Sequence, residues 1–236
     1  FARGLDTTTY QALRNDANLP LFNRVLQGQY PPASTIKPLV ALLALRDQVV
    51  TPQFSIVDPG WFQLGAKGRR YRDWKEHGHG TVDLKNAIIQ SCDTYYYRLA
   101  SKMSGEALSA GLQSFGYGEI TDIDLSHERA GFVPTPQWKQ QAFQQPWYGG
   151  ENLNLVIGQG YLLATPLQMA QMAALLANQG TQYQPHVLDH IQGQEAPEPQ
   201  RLRSLTFNPN HWHLVLEAMR GVVEHPSGTA HYLKSG

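Results

Sequence analysis

The segment that begins at Ser34 constrains the fold more than any other part of the chain. Its sequence, STIKPLVALLALRDQ (34–48), is apolar on nearly every side when it is drawn as a helix. A surface helix keeps one polar face, whereas a helix that is apolar all round must be covered on every side. The pattern therefore predicts a buried helix that carries Ser34 and Lys37 at its first turn.

A buried central helix needs enough chain to surround it. The 236 residues suffice for one large domain, or for one domain with a subdomain. Hydrophobic residues make up 42% and charged residues 16%, which is typical of soluble globular proteins. The 19 basic and 19 acidic side chains balance, which argues against nucleic acid as a partner. The one cysteine excludes an internal disulfide, and no apolar run is long enough to span a membrane.

Helical patterns recur through the middle of the chain. We expect further helices, from apolar spacing and capping residues, over 82–90, 93–103, 105–116, 166–178 and 208–225. Turn and loop residues dominate the segments 1–33, 51–80, 119–155 and 192–207. Any sheet should therefore come mostly from the two ends of the chain.

Ser34 and Lys37 stand three residues apart, so their side chains share one face of the predicted helix. Apolar neighbours and the positive end of the helix dipole would both lower the pKa of Lys37, and a neutral lysine accepts a proton from a serine hydroxyl. Backbone N–H groups at the helix start would face the oxyanion of an acyl-transfer intermediate. The S-x-x-K spacing by itself is common, and an exposed serine and lysine in a first turn usually explain it.

Two further short motifs follow in chain order. Ser91-Cys92-Asp93 has the S-x-[ND] form, and Lys234-Ser235-Gly236 has the K-[ST]-G form. These three motifs together are typical of penicillin-binding proteins and serine β-lactamases.

Longer stretches extend this likeness over almost the whole chain. They are NRVLQGQYPPASTIKP (23–38), DPGWFQL (58–64), RYRDWKEHGHG (70–80), SCDTYYY (91–97), FGYGEITDIDL (115–125), PTPQWK (134–139), PWYGG (146–150) and IGQGYLLATPLQMA (157–170). On these stretches the chain resembles the transpeptidase domains of penicillin-binding proteins, most closely the penicillin-binding protein 2 branch, which acts in rod elongation. An aspartate in the second motif, where most relatives have asparagine, also suits that branch.

The resemblance implies an α/β (α+β) fold of the β-lactamase/transpeptidase type. In that fold an antiparallel sheet flanked by helices packs on an all-helical subdomain, and residues 1–236 would form one such penicillin-binding domain. The chain lacks an initiator methionine and stops at the third motif, so we expect a fragment without the membrane anchor and pedestal. Only residues 231–233 separate Ala230 from Lys234, where relatives carry a longer segment with a strand, and we expect residues to be missing there.

Carried over by position, the resemblance implies four catalytic roles in the first two motifs. Ser34 would be the acylated nucleophile, and Lys37 would accept its proton. Ser91 would relay a proton to the leaving amine, while Asp93 holds the same loop.

The third motif implies the substrate-binding side of the cleft. Lys234 would act with the catalytic groups from a strand beside the cleft and, with Ser235 and Gly236, bind the terminal carboxylate of the substrate. The family's second oxyanion N–H group comes from just after this motif.

The activity that the resemblance implies is peptidoglycan D,D-transpeptidation during cell elongation. Ser34 would attack the penultimate D-Ala carbonyl of a stem peptide, an amine of a neighbouring stem would take the acyl group, and β-lactams would acylate the same serine. Implied partners are stem peptides, β-lactam antibiotics, and the glycan polymerase and scaffold proteins of the elongation complex. The domain would lie in the periplasm, on a protein anchored in the inner membrane.

Two alternative functions remain open. A D,D-carboxypeptidase or a serine β-lactamase carries the same motifs but passes the acyl group to water. A β-lactam sensor or scaffold domain would use acylation or partner contact as a signal and form no cross-link.

Cys92 stands between two motif residues but has no evident base that would make it a nucleophile. Two interpretations remain: a small filler behind the loop, or a metal ligand. Asp58, Asp73 and His79 lie in the glycine-rich segment upstream, and with Cys92 they form a set that suits a structural zinc. His79 is preferred to His77 because it lies in Gly-His-Gly. The chemistry itself requires no cofactor.

Two other features have simpler interpretations. The E-x-x-N pattern at 151–154, known from some β-lactamases, is better explained by a capping or loop role of Glu151. A basic cluster upstream of the second motif is most simply a solvated loop, although a polyanionic glycan or a partner could contact it. Its members are Lys67, Arg69, Arg70, Arg72 and Lys75.

Overall fold

The computed structural model describes residues 4–193, 195 and 198–235. The helices are α1 (Thr7–Asn15), α2 (Arg24–Gln27), α3 (Lys37–Arg46), α4 (Leu84–Ile89), α5 (Asp93–Ala100), α6 (Gly105–Ser114), α7 (Pro136–Phe143), α8 (Gly149–Leu155), α9 (Pro166–Ala177) and α10 (Pro209–Glu224). Two 3-10 helices cover Ala33–Ile36 and His231–Ser235. The strands are β1 (Ser55–Asp58), β2 (Trp61–Gln63), β3 (Arg70–Arg72), β4 (Gly80–Asp83), β5 (Thr181–Tyr183) and β6 (Arg201–Ser204).

Helix α3 is the centre of the molecule, as its sequence predicts. Residues from Lys37 to Leu45 are buried, and those from Leu39 to Ala44 have no exposed surface. Helices α4, α6 and α10 pack around α3. Helix α6 can approach α3 because it has Gly111 at the contact, where a β-carbon would overlap the side chain of Leu43.

The strands form three two-stranded antiparallel sheets: β1 with β4, β2 with β3, and β5 with β6. The expectation that strands come mostly from the chain ends is wrong within the described residues, because the strands lie between 55 and 83 and between 181 and 204. Each strand has only three or four residues, which is too short for an alternating pattern to show in the sequence.

The predicted helices are present, with ends displaced by a few residues. Helix α4 begins at Leu84, two residues later than predicted, because Gly80–Asp83 pair with β1. The loop prediction for 119–155 is wrong in part, since α7 and α8 lie there. The signal for α7 was present in the sequence: Thr135 caps the helix by accepting a hydrogen bond from Trp138 N, and Pro136 occupies its first position. None of the described helices is long and apolar enough to cross a membrane.

Candidate active site

Ser34 lies in the 3-10 helix that leads into α3, and the residue before it has an unusual backbone. Ala33 has a φ of 52°, a left-handed conformation that costs free energy for a residue with a side chain. Its N–H donates to Gly158 O at 2.9 Å. A β-carbon at Gly158 would overlap the Ala33 carbonyl, so the IGQG segment (157–160) packs closely against the turn that carries Ser34. The sequence resemblance included Gly158 but gave it no role.

The second motif forms the turn between α4 and α5. Ser91 also has a left-handed backbone, with a φ of 53°. Two hydrogen bonds hold this turn: Ser91 N donates to Ile88 O at 3.2 Å, and Cys92 N donates to Ala87 O at 3.0 Å. Asp93 then starts α5. Because the turn reverses the chain tightly, consecutive side chains of the motif point in different directions.

Lys37 joins the first motif to the second. Its Nζ donates to Ser91 O at 2.7 Å, to Ser91 Oγ at 3.0 Å and to Asp93 Oδ1 at 2.7 Å. The side chain is 2% exposed, and the ring of Tyr96 lies 5.3 Å from Nζ. All three ammonium donors are therefore used, and an aromatic face covers the group further. No hydrogen bond joins Ser34 Oγ to Lys37 within the described residues; both side chains instead line one cavity.

Asp93 is half of a buried ion pair, with 16% of its side chain exposed. Burial raises the pKa of Asp93, while the adjacent Lys37 ammonium acts in the opposite direction. The Lys37 ammonium therefore stabilises the negative charge of Asp93, which would otherwise be costly to bury.

Two cavities meet at Ser34 and Ser91. One, of about 540 Å³, has the two serines and Lys37 at one end and mostly apolar residues beyond them. The other, of about 380 Å³, is lined by Ser34, Ser91, Asp93, Trp74 and Thr229. The sequence did not single out Trp74 or Thr229. Trp74 is 59% exposed and donates from Nε1 to Gln90 O at 3.0 Å, which fixes its indole at the cleft.

The third motif lies away from these cavities. Lys234 belongs to a 3-10 helix and not to a strand, is exposed, and lines neither cavity. Its Nζ is 3.5 Å from Glu224 O, at the end of α10. Ala230 N, four residues before Lys234, donates to Val222 O of α10 at 3.0 Å. The segment that leads to Lys234 therefore starts at α10 in this conformation. The side chain of Ser235 and the whole of Gly236 lie outside the described residues.

Cys92 faces the opposite side of the turn from Ser91. Its Sγ is 3.5 Å from Asp58 Oδ2, and the same carboxylate oxygen is 2.7 Å from His79 Nδ1. Asp73 Oδ1 lies 3.6 Å from that nitrogen. One ligand atom from each of these four residues lies within 4.8 Å of all the others. The set proposed from the sequence is therefore brought together in space.

This four-residue cluster has an excess of acidic groups. The side chains of Asp58, Asp73 and His79 are at most 1% exposed. Burial by itself would raise the pKa of Asp58, but hydrogen bonds from His79 and from Gly60 N reverse the direction and lower it. Burial raises the pKa of the Cys92 thiol strongly, and the carboxylates of Asp73 and Asp58 raise it further. Without a cation the thiol stays neutral, which argues against a nucleophilic cysteine.

Glu151 has the capping role favoured above. Its Oε2 accepts from Tyr148 N at 2.6 Å at the start of α8, and its Oε1 pairs with Lys139. Both carboxylate oxygens are thus occupied, and neither contacts Lys37. The arrangement does not support a deacylating role for Glu151.

The chain is similar in sequence to a known protein family and to named relatives. Residues 5–236 match the family described as the penicillin binding protein transpeptidase domain. The chain is 43% identical over 235 residues to the peptidoglycan D,D-transpeptidase MrdA of Escherichia coli K12, covering 98% of this chain and 37% of that protein. It is 43% identical over 193 residues to MrdA of Haemophilus influenzae, covering 82% of this chain and 30% of that protein. The chain thus spans less than two-fifths of the length of these relatives.

Solved structures agree with the sequence matches. A crystal structure of Pseudomonas aeruginosa PBP2 in complex with WCK 5153 superposes with a TM-score of 0.90 at 42% identity, covering 98% of this chain and 53% of that one. PBP2 of Helicobacter pylori gives a TM-score of 0.84 at 34% identity, covering 97% of this chain and 42% of that one. The fold is accordingly that of the penicillin-binding proteins, and the chain belongs to the penicillin binding protein transpeptidase domain family.

Proposed function

We propose that this chain is the catalytic domain of a serine-type peptidoglycan D,D-transpeptidase that acts in cell elongation. The observation that carries the proposal is the convergence of Ser34, Lys37, Ser91 and Asp93 at one cleft, in a chain that resembles the MrdA transpeptidases end to end. The assignment of roles to these residues is part of the proposal.

The geometry supports an acyl-enzyme mechanism. Lys37 is a fully hydrogen-bonded ammonium in this geometry, so the proposed mechanism requires it first to give one proton to Asp93, whose Oδ1 lies 2.7 Å from Nζ. The neutral lysine then accepts the hydroxyl proton as Ser34 Oγ attacks the penultimate D-Ala carbonyl. Ser91 Oγ, 3.0 Å from Lys37 Nζ, passes a proton to the departing D-Ala amine as the C–N bond breaks. An amine of a second stem peptide then attacks the ester, releases Ser34 and forms the cross-link. β-Lactams would open on Ser34 by the same first step.

Lys234, Ser235 and Gly236 are proposed to bind the substrate's terminal carboxylate. In the conformation described here Lys234 lies beside the end of α10, so this role requires the third motif to move toward the cleft.

Mass spectrometry after incubation with benzylpenicillin tests the proposal. We expect one covalent adduct on Ser34 that persists for many minutes and disappears in Ser34→Ala. Ser101→Ala is the matched control, because Ser101 is exposed and bonds only locally, to Arg98 O. An absent adduct in the wild-type protein contradicts the proposal, and release of the adduct within seconds indicates a β-lactamase.

We further propose a structural zinc at Asp58, Asp73, His79 and Cys92. The donor set fits the ion, because a tetrahedral zinc with these ligands places donor atoms about 3.3–3.8 Å apart and the four atoms already lie within 4.8 Å. When bound, zinc would supply the positive charge that this buried acidic cluster lacks. The Ser91 turn would thereby be braced from behind.

Metal analysis of the purified protein tests this site. We expect one zinc per chain in the wild type and much less than one in Cys92→Ser, since a thiolate is the softest of the four ligands. Ser109→Ala serves as a control, because it removes a different buried hydrogen-bonding side chain, one that donates to Pro134 O. If the wild-type protein contains no stoichiometric zinc, the other interpretation holds, in which Cys92 only fills space behind the Ser91 turn.

Solved relatives support a proposal on partners and location. One solved relative is a complex between H. pylori PBP2 and MreC, and another belongs to a peptidoglycan synthase complex that coordinates polymerization and crosslinking. We propose corresponding partners for the protein to which this chain belongs, and a periplasmic position on an inner-membrane anchor.

A further inference from the structure

Three arginines of the β2–β3 hairpin have no acidic partner. Arg69, Arg70 and Arg72 are exposed, and no carboxylate in the described part of the chain forms an ion pair with them. By contrast, Arg203 pairs with Glu119 at 2.7 Å. The chain as a whole has no net charge, so the hairpin is a local concentration of positive charge.

Aromatic rings hold two of these guanidinium groups in place. Arg70 Cζ lies 4.1 Å from the ring centre of Trp61, and Arg69 Cζ lies 5.8 Å from that of Tyr71. In the register of β2 and β3, the Cα atom of Arg72 lies opposite that of Trp61. Stacking restricts the guanidinium and leaves its N–H edge available for a planar anion. The entropy lost when a ligand binds is correspondingly smaller.

The arginines line a cavity of about 380 Å³ beside β3. Its other lining residues are Tyr71, Tyr97 and Asn154. The lining therefore offers guanidinium, phenol and amide groups and contains no carboxylate. Such a donor-rich cavity suits a carboxylate, because guanidinium forks bind it with two parallel charge-assisted hydrogen bonds.

Asn154 also lines a second cavity, of about 340 Å³, so the two cavities adjoin along α8. The wall of the second cavity includes Trp147 and ends at Gln159 and Gly160. These residues directly follow Gly158, which packs on the residue before Ser34. The wall of the second cavity, which also includes Glu151, is thus joined through the chain to the turn that carries Ser34.

We propose that Arg69, Arg70 and Arg72 bind a carboxylate of the acceptor peptide, the peptide whose amine attacks the acyl-enzyme. The second cavity, beyond Asn154, would take the body of that peptide, with its amine directed to the Ser34 ester. The identity of the ligand rests on the transpeptidase function proposed above, whereas the anion site rests on the arginines and their cavity.

A binding titration tests the site without turnover. The probe is the tetrapeptide N-acetyl-L-Ala-D-Glu-L-Lys-D-Ala, which carries two carboxylates and one free amine, against Ser34→Ala protein in an NMR or calorimetric titration. We expect amidation of the two carboxylates, or the triple variant R69Q/R70Q/R72Q, to weaken binding about tenfold or more, as the loss of a charge-assisted contact predicts. Arg14→Gln is the matched control, because Arg14 is an exposed arginine on α1, and it should bind the peptide as before.

The outcomes separate this inference from the proposed function. Equal affinity for the peptide and its diamide, or unchanged binding by the triple variant with an unaltered Tm, overturns the inference. Inorganic phosphate in a parallel titration overturns the peptide assignment if phosphate alone binds in an arginine-dependent way. The proposed function fails separately, through an absent penicillin adduct on Ser34, and the triple variant should form that adduct at the wild-type rate.

Discussion

The Ser91–Asp93 turn has two faces, and they balance their charges differently. On one face, Lys37 gives its three ammonium hydrogens to Ser91 and Asp93. On the other, Cys92 lies against two buried carboxylates, and His79 is the only basic side chain among the four. The Nε2 atom of that histidine is buried without a hydrogen-bond partner in the described part of the chain.

The difference indicates where each face gets its stability. The Lys37 face is complete, because donors and acceptors match and opposite charges are paired. The Cys92 face has more acidic than basic side chains. Because these groups are buried, the excess negative charge is costly in free energy unless a cation binds there. Chemistry on the first face should therefore depend on a side chain, and stability on the second should depend on an added ion.

The largest expected effect comes from Lys37→Met. Removing the proposed proton acceptor should slow acylation of Ser34 by penicillin by about 10²–10⁴-fold. The change also leaves Asp93 buried without its partner, at a cost of about 3–5 kcal/mol in the free energy of unfolding. Stopped-flow acylation and chemical denaturation measure the two effects separately.

A double variant is the control for this prediction. Lys37→Met combined with Asp93→Asn removes both charges, so much of the lost stability should return while acylation stays slow. Fast acylation in either variant would show that Lys37 is not the proton acceptor.

Metal removal should have the second largest effect, on stability first. With zinc at about 1,000 times its Kd, chelation removes about 4 kcal/mol of stabilisation, which for a chain of this size is on the order of 10 °C in Tm. Cys92→Ser should already have a lower Tm and should lose its sensitivity to the chelator. If chelation left the Tm of the wild-type protein unchanged, the Cys92 face would not depend on a metal ion, and the proposed difference between the two faces would be wrong.

The smallest effect is expected at an exposed ion pair outside both faces. Lys85 Nζ donates to Glu217 Oε1 at 2.6 Å, between α4 and α10, and this hydrogen bond lowers the pKa of Glu217 below its ordinary value of 4.5. Because the folded-state pKa is the lower one, the pair stabilises the fold above pH 4.5 and loses this contribution as pH falls through the folded-state pKa.

NMR titration of the Glu217 carboxyl checks this prediction. In Lys85→Gln the pKa of Glu217 should return toward its ordinary value, with little change in Tm at neutral pH. If Lys85→Gln lost as much stability as Lys37→Met, the difference in burial between the two ion pairs would not explain a difference in their contribution to stability.

Sequence reasoning succeeded where a local pattern carries the information. The buried helix at α3 follows from its all-round apolar residues, and the approach of Ser34, Lys37 and Ser91 follows from short motifs in a fixed order. The strands of three or four residues are too short to produce a pattern, and α7 was not predicted although Thr135-Pro136 is a typical helix start. Sequence reasoning also missed Trp74, because only the folded chain places that indole at the cleft.

The sequence by itself determined the central helix, because an all-round apolar pattern is a local property, and it determined the family through motifs and stretches that resemble those of known relatives. Tertiary structure decided which partners the motif side chains have. The left-handed turn at Ser91 sends Ser91 toward Lys37 and Cys92 toward Asp58, which no spacing in the sequence specifies. The position of Lys234 beside the end of α10 is likewise decided by the folded chain, because the hydrogen bond from Ala230 N to Val222 O starts its segment there.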